Sequence, residues 1–217
     1  MGANSTGTAG TRPAARWAVA AGAAALLLTG CGGDAEGKAT ALDRAQVTSV
    51  LPDKDALAGW DLTEDSSVAP MNDLARRSFC ASAGDKGCED SLFMGSASFV
   101  REDEQSRARF WMVAYEDEKA AEAAYDVLWK NTARTAGKDE ADLGPVGARR
   151  DAVGGPVGYD GAYGITGQIR VGTALLWVAS DARSEKKLDK EQAKDLAALF
   201  SDRAQQAQNG EEPSAKL

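Results

Sequence analysis

The chain has 217 residues, of which 27% are charged, and a formal net charge of -8 at neutral pH. This length suits one domain with a hydrophobic core of its own. An acidic chain is repelled by phosphate backbones, so we expect no nucleic acid among its partners. Histidine is absent, which excludes Ser-His-Asp and Cys-His nucleophile systems and histidine-ligated metal sites.

Residues 1–30 have the pattern of a bacterial secretion leader. Two arginines, Arg12 and Arg16, precede an apolar core over Trp17–Leu28, and no acidic residue interrupts them. The core matches the length of a signal peptide and is shorter than a membrane span, which needs roughly 20 residues. It ends in Leu28-Thr29-Gly30-Cys31, a pattern typical of a lipobox. The alternative is an ordinary secretory signal followed by a chance cysteine.

Cys31 is therefore the predicted lipidation site. Its thiol can carry a diacylglyceryl group as a thioether, and two acyl chains hold a protein firmly, since each buried methylene contributes about 0.8 kcal/mol. Residues 31–41 are small and polar and are predicted to be a lipidated flexible tether. We expect the protein to lie on the outer face of the cytoplasmic membrane, with the membrane as a partner through this anchor.

Two further cysteines, Cys80 and Cys88, are predicted to form a disulfide. An even pair in an oxidising compartment favours a structural bond, and closing so short a loop contributes roughly 2 to 3 kcal/mol. The alternative is a redox pair, which usually has the spacing Cys-x-x-Cys. Here seven residues intervene.

Residues 42–204 are predicted to form a single α/β extracytoplasmic domain. Residues 40–43 can cap a first helix that ends at Pro52, and Trp60 is expected in the core. Residues 61–95 show no clear period and are predicted to be mostly irregular. The last residues, 205–217, are predicted to fray as a polar tail.

The middle and end of the domain carry clearer patterns. Strands are predicted at residues 96–100 and 108–115, followed by a helix over 118–134. The same order recurs with strands at 162–170 and 174–179 and a helix after the capping box Asp189-x-x-Gln192. These patterns indicate an α+β fold: an antiparallel sheet with packed helices, two ββα pseudo-repeats and a sandwich-like arrangement.

Glycine recurs between these two halves, where Gly144-Pro-Val-Gly147 is repeated as Gly155-Pro-Val-Gly158. The simpler interpretation is a set of turns followed by a strand. The alternative is a groove of side-chain-free backbone in which Tyr159, Asp160 and Tyr163 contact a ligand, because tyrosines offer flat amphipathic contact area.

Other candidate chemistry is weak. The carboxylates Glu102, Asp103 and Glu104 are consecutive in a predicted turn, which favours a solvated tip over a glycosidase pair. Ser184 and Lys187 match S-x-x-K without the companion motifs of penicillin-binding enzymes. We therefore predict no catalytic residue, no metal site and no cofactor.

Three features together resemble the extracellular sensor domain of actinobacterial membrane Ser/Thr kinases, a domain also found in free lipoproteins. They are the capped first helix, the step Gly59-Trp60 and the segment Ile169–Trp177. The resemblance covers roughly residues 42–200 and implies an α/β sandwich with a central cleft, a ligand-sensing role and no enzymatic activity. The chain departs from the pattern in having one cysteine pair where the kinase domains commonly have two.

These observations lead to one main hypothesis and two alternatives. The main hypothesis is a membrane-anchored extracytoplasmic lipoprotein whose domain binds or senses an envelope ligand without catalysis. The first alternative is a structural lipoprotein that binds another envelope protein. The second is a carboxylate-dependent hydrolase of wall glycans. An aromatic-lined pocket would favour the main hypothesis, and a cleft with two facing carboxylates would favour the hydrolase.

Overall fold

In the computed structural model, the described residues (39–80, 85–101, 105–158 and 161–217) form a seven-stranded antiparallel sheet and four α-helices. The helices are α1 (Arg44–Val50), α2 (Asp73–Phe79), α3 (Glu118–Ala136) and α4 (Lys190–Gln208). The strands are β1 (Asp61–Pro70), β2 (Ser91–Arg101), β3 (Ser106–Tyr115), β4 (Asp139–Glu140), β5 (Arg149–Val157), β6 (Ala162–Val171) and β7 (Ala174–Ala182). Their order in the sheet is β1-β2-β3-β7-β6-β5-β4, which places β3 and β7 at the centre.

The two faces of the sheet bury two separate hydrophobic clusters. Along β3, Phe110 and Met112 point to the cluster that contains α1 and α4, whereas Trp111 and Val113 point to the cluster that contains α3. This alternation is the period of two expected of a strand covered on both faces. The domain therefore has helices on both sides of its sheet, and the predicted α+β class with an antiparallel sheet and packed helices is confirmed.

Local signals begin each of the predicted helices. The side chain of Asp43 accepts a hydrogen bond from the Gln46 amide, and the Gln46 side chain accepts one from the Asp43 amide, which completes a capping box. Asp117 caps α3, and Asp189 caps α4. A cap satisfies amides that have no partner within the helix, so these three helices begin where the sequence predicts.

The order strand, strand, helix does occur twice, as β2-β3-α3 and as β6-β7-α4. The two helices nevertheless pack on opposite faces, α3 in one cluster and α4 in the other. The internal ββα repeat therefore remains a prediction about the sequence.

The prediction of irregular structure over residues 61–95 is wrong, because this segment contains β1 and α2. β1 is an edge strand whose side chains are mostly exposed. It therefore lacks the apolar alternation that identifies a strand, and its pairing with β2 supplies its order. Asn72 begins α2 by accepting hydrogen bonds from the Leu74 and Ala75 amides.

Two other predictions also needed the tertiary structure. The repeated segment at Gly155, predicted as turns, lies within β5, which pairs with β6 along its whole length. The predicted tail starts inside α4, which continues to Gln208, and the last residues pack on the domain through a hydrogen bond from the Leu217 amide to the Ala56 carbonyl.

Within the described ranges we find no helix that is long and apolar enough to cross a bilayer.

Candidate functional site

A cleft of about 460 Å³ lies between the C-terminal half of α3 and the centre of the sheet. α3 is held against β6 by Tyr125 and Gln168, since the Tyr125 hydroxyl donates to the Gln168 carbonyl at 3.0 Å and Gln168 Nε2 donates to the Tyr125 carbonyl at 2.8 Å. Beyond these contacts the helix and the sheet enclose the cleft. Its lining comprises Phe79, Arg109, Trp111, Leu128, Asn131, Thr132, Arg134, Thr135, Ala136, Thr166, Trp177 and Ala179.

Aromatic rings form much of the floor. Trp111 and Trp177 are register partners across β3 and β7, so both side chains lie on the α3 face. Phe79, the last residue of α2, meets Trp177 edge to face with ring centroids 5.5 Å apart. Trp177 is only 5% exposed, whereas Trp111 is half-buried. The floor is therefore aromatic and apolar, with Trp111 as a more accessible ring than Trp177.

A buried carboxylate paired with two more exposed arginines lies beside this floor. Asp181 is 3% exposed at its side chain and accepts from two arginines of β3, Arg107 Nε at 3.1 Å and Arg109 Nη2 at 2.9 Å. The Arg109 guanidinium carbon also lies 5.5 Å from the centroid of the Trp111 ring. Arg109 lines the cleft, whereas Arg107 does not. Ion pair and ring together hold Arg109 in one position.

The polar side chains of the lining are two arginines, three threonines and one asparagine. Among the described residues that line the cleft, Arg109 and Arg134 carry charge, and neither Asp nor Glu occurs. This is a local reversal of charge in a chain with net charge -8. Within the described part of the chain, we find no group of three or more Cys, Asp or Glu residues that could hold a metal ion. The cleft is thus suited to binding, and it presents no pair of carboxylates for hydrolysis.

The disulfide between Cys80 and Cys88 is present, as predicted. Both cysteines are buried, and they tie the end of α2 to the short 3-10 helix at Asp85–Gly87. Phe79 is the residue before Cys80, so this bond also holds one aromatic residue of the floor in place.

The predicted ligand residue Tyr163 lies elsewhere. Its hydroxyl donates to the Asp139 carboxylate, a bond that raises the pKa of Tyr163 to about 12. Tyr163 is two residues from Ile165 on β6, so it lies on the face of the sheet that packs against α4. The cleft is on the opposite face, where Thr166 lies. Tyr159, Asp160, Cys31 and Glu102–Glu104 lie outside the described residues.

Neighbouring atoms occupy the space beside two glycines of the glycine-rich segment, Gly155 and Gly167. A Cβ on Gly155 would lie 2.7 Å from the Cα of Gly137, and a Cβ on Gly167 would lie 2.2 Å from Leu143 Cδ1. Backbone and side chains thus occupy the space at these two positions. The missing side chains allow close packing at these two positions, and the contact of Tyr159, Asp160 and Tyr163 with a ligand stays a prediction.

Sequence reasoning did not select Arg109, Trp111 and Trp177 as site residues. The strands that hold them were predicted. Arg109, Trp111 and Trp177 lie on the same face of the sheet, because side chains alternate along paired strands. A search for polar or aromatic side chains interrupting the inward face of a buried strand would have found them.

Comparison with known proteins supports the architecture. Neither a protein-family model nor a curated protein matches the chain. Among solved structures, the chain is similar in fold to the extracellular domain of PknH from Mycobacterium tuberculosis, with a TM-score of 0.52 and 10% sequence identity. The match covers 79% of this chain and 99% of that domain. At this identity the likeness concerns the fold alone.

Proposed function

We propose that the chain is an extracytoplasmic, non-enzymatic domain that binds a ligand in the cleft between α3 and the sheet. The observation that carries the proposal is the cleft itself, with Trp111, Trp177 and Phe79 exposed to one cavity beside Arg109. Pockets for small ligands are commonly concave, largely apolar and supplied with a few oriented polar groups.

The fold agrees with an extracytoplasmic location. One solved neighbour is an extracellular domain, and the resemblance noted in the sequence is to extracellular sensor domains. A buried disulfide between Cys80 and Cys88 fits an oxidising compartment. We therefore assign the domain to the outer side of the cytoplasmic membrane, with a role in sensing or binding at the envelope.

The lipid anchor is part of the same proposal. The support comes from Leu28-Thr29-Gly30-Cys31 following an apolar core. Growth of the native host with radioactive palmitate tests it: the wild-type protein should become labelled, and Cys31→Ala should not. Equal labelling of both proteins would show that Cys31 is not the anchor.

Occupancy of the cleft can be tested with 1-N-phenylnaphthylamine, an uncharged dye whose fluorescence rises in apolar sites. The full chain should bind the dye, and Trp111→Ala should bind it about two- to tenfold more weakly, since stacking on an aromatic ring contributes about 0.5 to 1.5 kcal/mol. Trp129→Ala is the matched control, because Trp129 is partly buried and lies outside the cleft lining. Equal losses in both variants would contradict a ligand site in this cleft.

The two alternatives have less support. A glycan hydrolase needs two carboxylates facing its substrate, and the described lining of the cleft contains none. A purely structural role would not require a cavity walled by three aromatic rings.

A further inference from the structure

We propose that the cleft recognises an amphipathic anion, namely a carboxylate, sulfonate or phosphate ester attached to an apolar body. This inference rests on the proposed function, since it names the chemical class of the ligand bound in the same cleft. It is carried by three properties of the lining: its charge, the fixed position of Arg109, and the apolar aromatic surface of Trp111, Trp177 and Phe79.

The charge of the lining selects an anion. Arg107 and Arg109 share the single carboxylate of Asp181, so this group of three side chains retains one positive charge. Arg134 of α3 adds a second cation at the opposite wall. The described lining contains no acidic residue, and the nearby carboxylate of Asp181 is outnumbered by its two arginines, so an anionic group meets net attraction from both walls.

Arg109 is already positioned for such a group. Asp181 holds one edge of its guanidinium and the Trp111 ring lies beside it, while 39% of its side chain remains exposed. Its Nε is buried and has no hydrogen-bond partner among the described residues. A guanidinium has five N–H donors, so most of its donors remain available, and an immobilised arginine loses little entropy when it binds a carboxylate or phosphate.

The remaining surface favours an apolar body over a polyhydroxylated sugar. Two threonines of the α3 wall turn their hydroxyl groups back to the helix: Thr132 donates to the Leu128 carbonyl and Thr135 to the Thr132 carbonyl, each at 3.1 Å. These bonds use the hydroxyl hydrogens within the helix. The wall is therefore less polar than its composition indicates, and the floor consists of Trp111, Trp177 and Phe79.

A matched pair of dyes separates the two parts of the inference. 8-Anilinonaphthalene-1-sulfonate and 1-N-phenylnaphthylamine have nearly the same aromatic body, and only the first carries an anion. The full chain with Cys31→Ser, which can be purified without lipid, should bind the sulfonate at least about tenfold more tightly, since a hydrogen bond to a charged group contributes about 1.5 to 3 kcal/mol. Every variant carries the same leader, so dye bound outside the folded domain is common to all of them.

Two arginine variants test the assignment to Arg109. Arg109→Met should weaken the sulfonate about tenfold and leave the uncharged dye within about twofold, because only the charged contact is lost. Arg107 pairs with the same Asp181 carboxylate but does not line the cleft, so Arg107→Met is the matched control. It removes net positive charge beside the cleft but no donor from its lining, so it should weaken the sulfonate by no more than about threefold, clearly less than Arg109→Met does. Thermal unfolding of each variant establishes that it is folded.

The source of the anion is distinguished by competition. Displacement of the sulfonate dye by monomeric decanoate, with weaker displacement from Arg109→Met, supports a free amphiphile. The same dependence on Arg109 with vesicles of phosphatidylglycerol supports a lipid head group. Both results agree with an amphipathic anion.

Two outcomes have different meanings. If Arg109→Met and Arg107→Met weaken the sulfonate equally, or neither does, while Trp111→Ala weakens both dyes, the anion inference is overturned and the ligand cleft stands. If Trp111→Ala changes the binding of neither dye, the cleft is not the binding site and the proposed function fails with it.

Discussion

Trp111 of β3 and Trp177 of β7 are direct partners across the central strand pair, and their side chains lie on the face that α3 covers. The residues between them in the chain form α3, β4, β5 and β6. Pairing at this register therefore brings two aromatic rings from distant segments to the floor of one cleft.

The two tryptophans should differ in their effect on stability. Trp177 is 5% exposed and packs against Phe79, so Trp177→Ala should lower the free energy of unfolding by about 3 to 5 kcal/mol. Trp111 is half-buried, and Trp111→Ala should have a clearly smaller effect. Urea denaturation followed by circular dichroism measures both. Equal losses would mean that Trp111 has a structural role like that of Trp177.

Reduction of the disulfide should weaken the domain by about 2 to 3 kcal/mol, the chain-entropy value for a loop of this size. Cys80 and Cys88 are buried and hold the end of α2. Unfolding with and without dithiothreitol measures the change. The double variant Cys80→Ala with Cys88→Ala should show a loss of similar size and no response to dithiothreitol, and a continued response would indicate another reducible bond.

Arg203 should be important for the junction of α1, α4 and the C-terminal residues. Its buried guanidinium donates to the carbonyls of Ser49 at 2.7 Å and Val50 at 3.1 Å, at the end of α1, and to that of Ala215 at 3.0 Å. Burial lowers the pKa of Arg203, and the side chain stays charged. Arg203→Met leaves these carbonyls without a donor and should cost about 2 to 4 kcal/mol.

Arg203→Lys is the matched variant for this junction. Lysine keeps the charge but lacks the planar arrangement of five donors, so it should recover part of the lost stability. Full recovery in thermal unfolding would show that charge, and not the geometry of the guanidinium, is what α1 requires.

Two adjacent glycines of β5 should respond differently to alanine. A Cβ on Gly155 would lie 2.7 Å from the Cα of Gly137, which is backbone and cannot move aside easily. Gly155→Ala should therefore cost about 1 to 3 kcal/mol. A Cβ on Gly154 would have its nearest neighbours at ordinary contact distance, 3.6 Å, and Gly154→Ala should stay within about 0.5 kcal/mol of wild type. Chemical denaturation of both variants compares them directly.

Tyr163 should give the protein an alkaline pH dependence. Its hydrogen bond to Asp139 favours the neutral phenol and raises its folded-state pKa to about 12, above the ordinary value of 10.0. The stability from this bond is present in full below pH 10 and is lost as the pH rises through about 12. Tyr163→Phe should remove one ionisation near that pH from the absorbance titration at about 295 nm. Loss of an ionisation near the ordinary value of 10.0 instead would contradict the bond.

Much of the architecture was predictable because its signals are local. Asp43, Asp117 and Asp189 begin α1, α3 and α4, and the apolar runs around Trp111 and Trp177 mark the two central strands. The pair Cys80 and Cys88 was identified by elimination. β1 was missed because its mostly exposed residues carry no apolar period, and only its pairing with β2 orders them.

The cleft could not be predicted in the same way. Arg109 and Asp181 lie 72 positions apart in the chain and meet only because β3 and β7 are neighbours in the sheet. The sequence also does not state which face α3 covers, and the glycine-rich segment pointed to Tyr163, which lies away from the cleft.

Helix caps, strand periods and the pattern at Cys31 are readable from the chain alone, because each depends on residues within a few positions of one another. The order of the strands, the face chosen by each helix and the meeting of Arg109 with two tryptophans were decided only on folding. Such contacts are selected by burial and pairing between distant segments, for which a linear sequence contains no short-range signal.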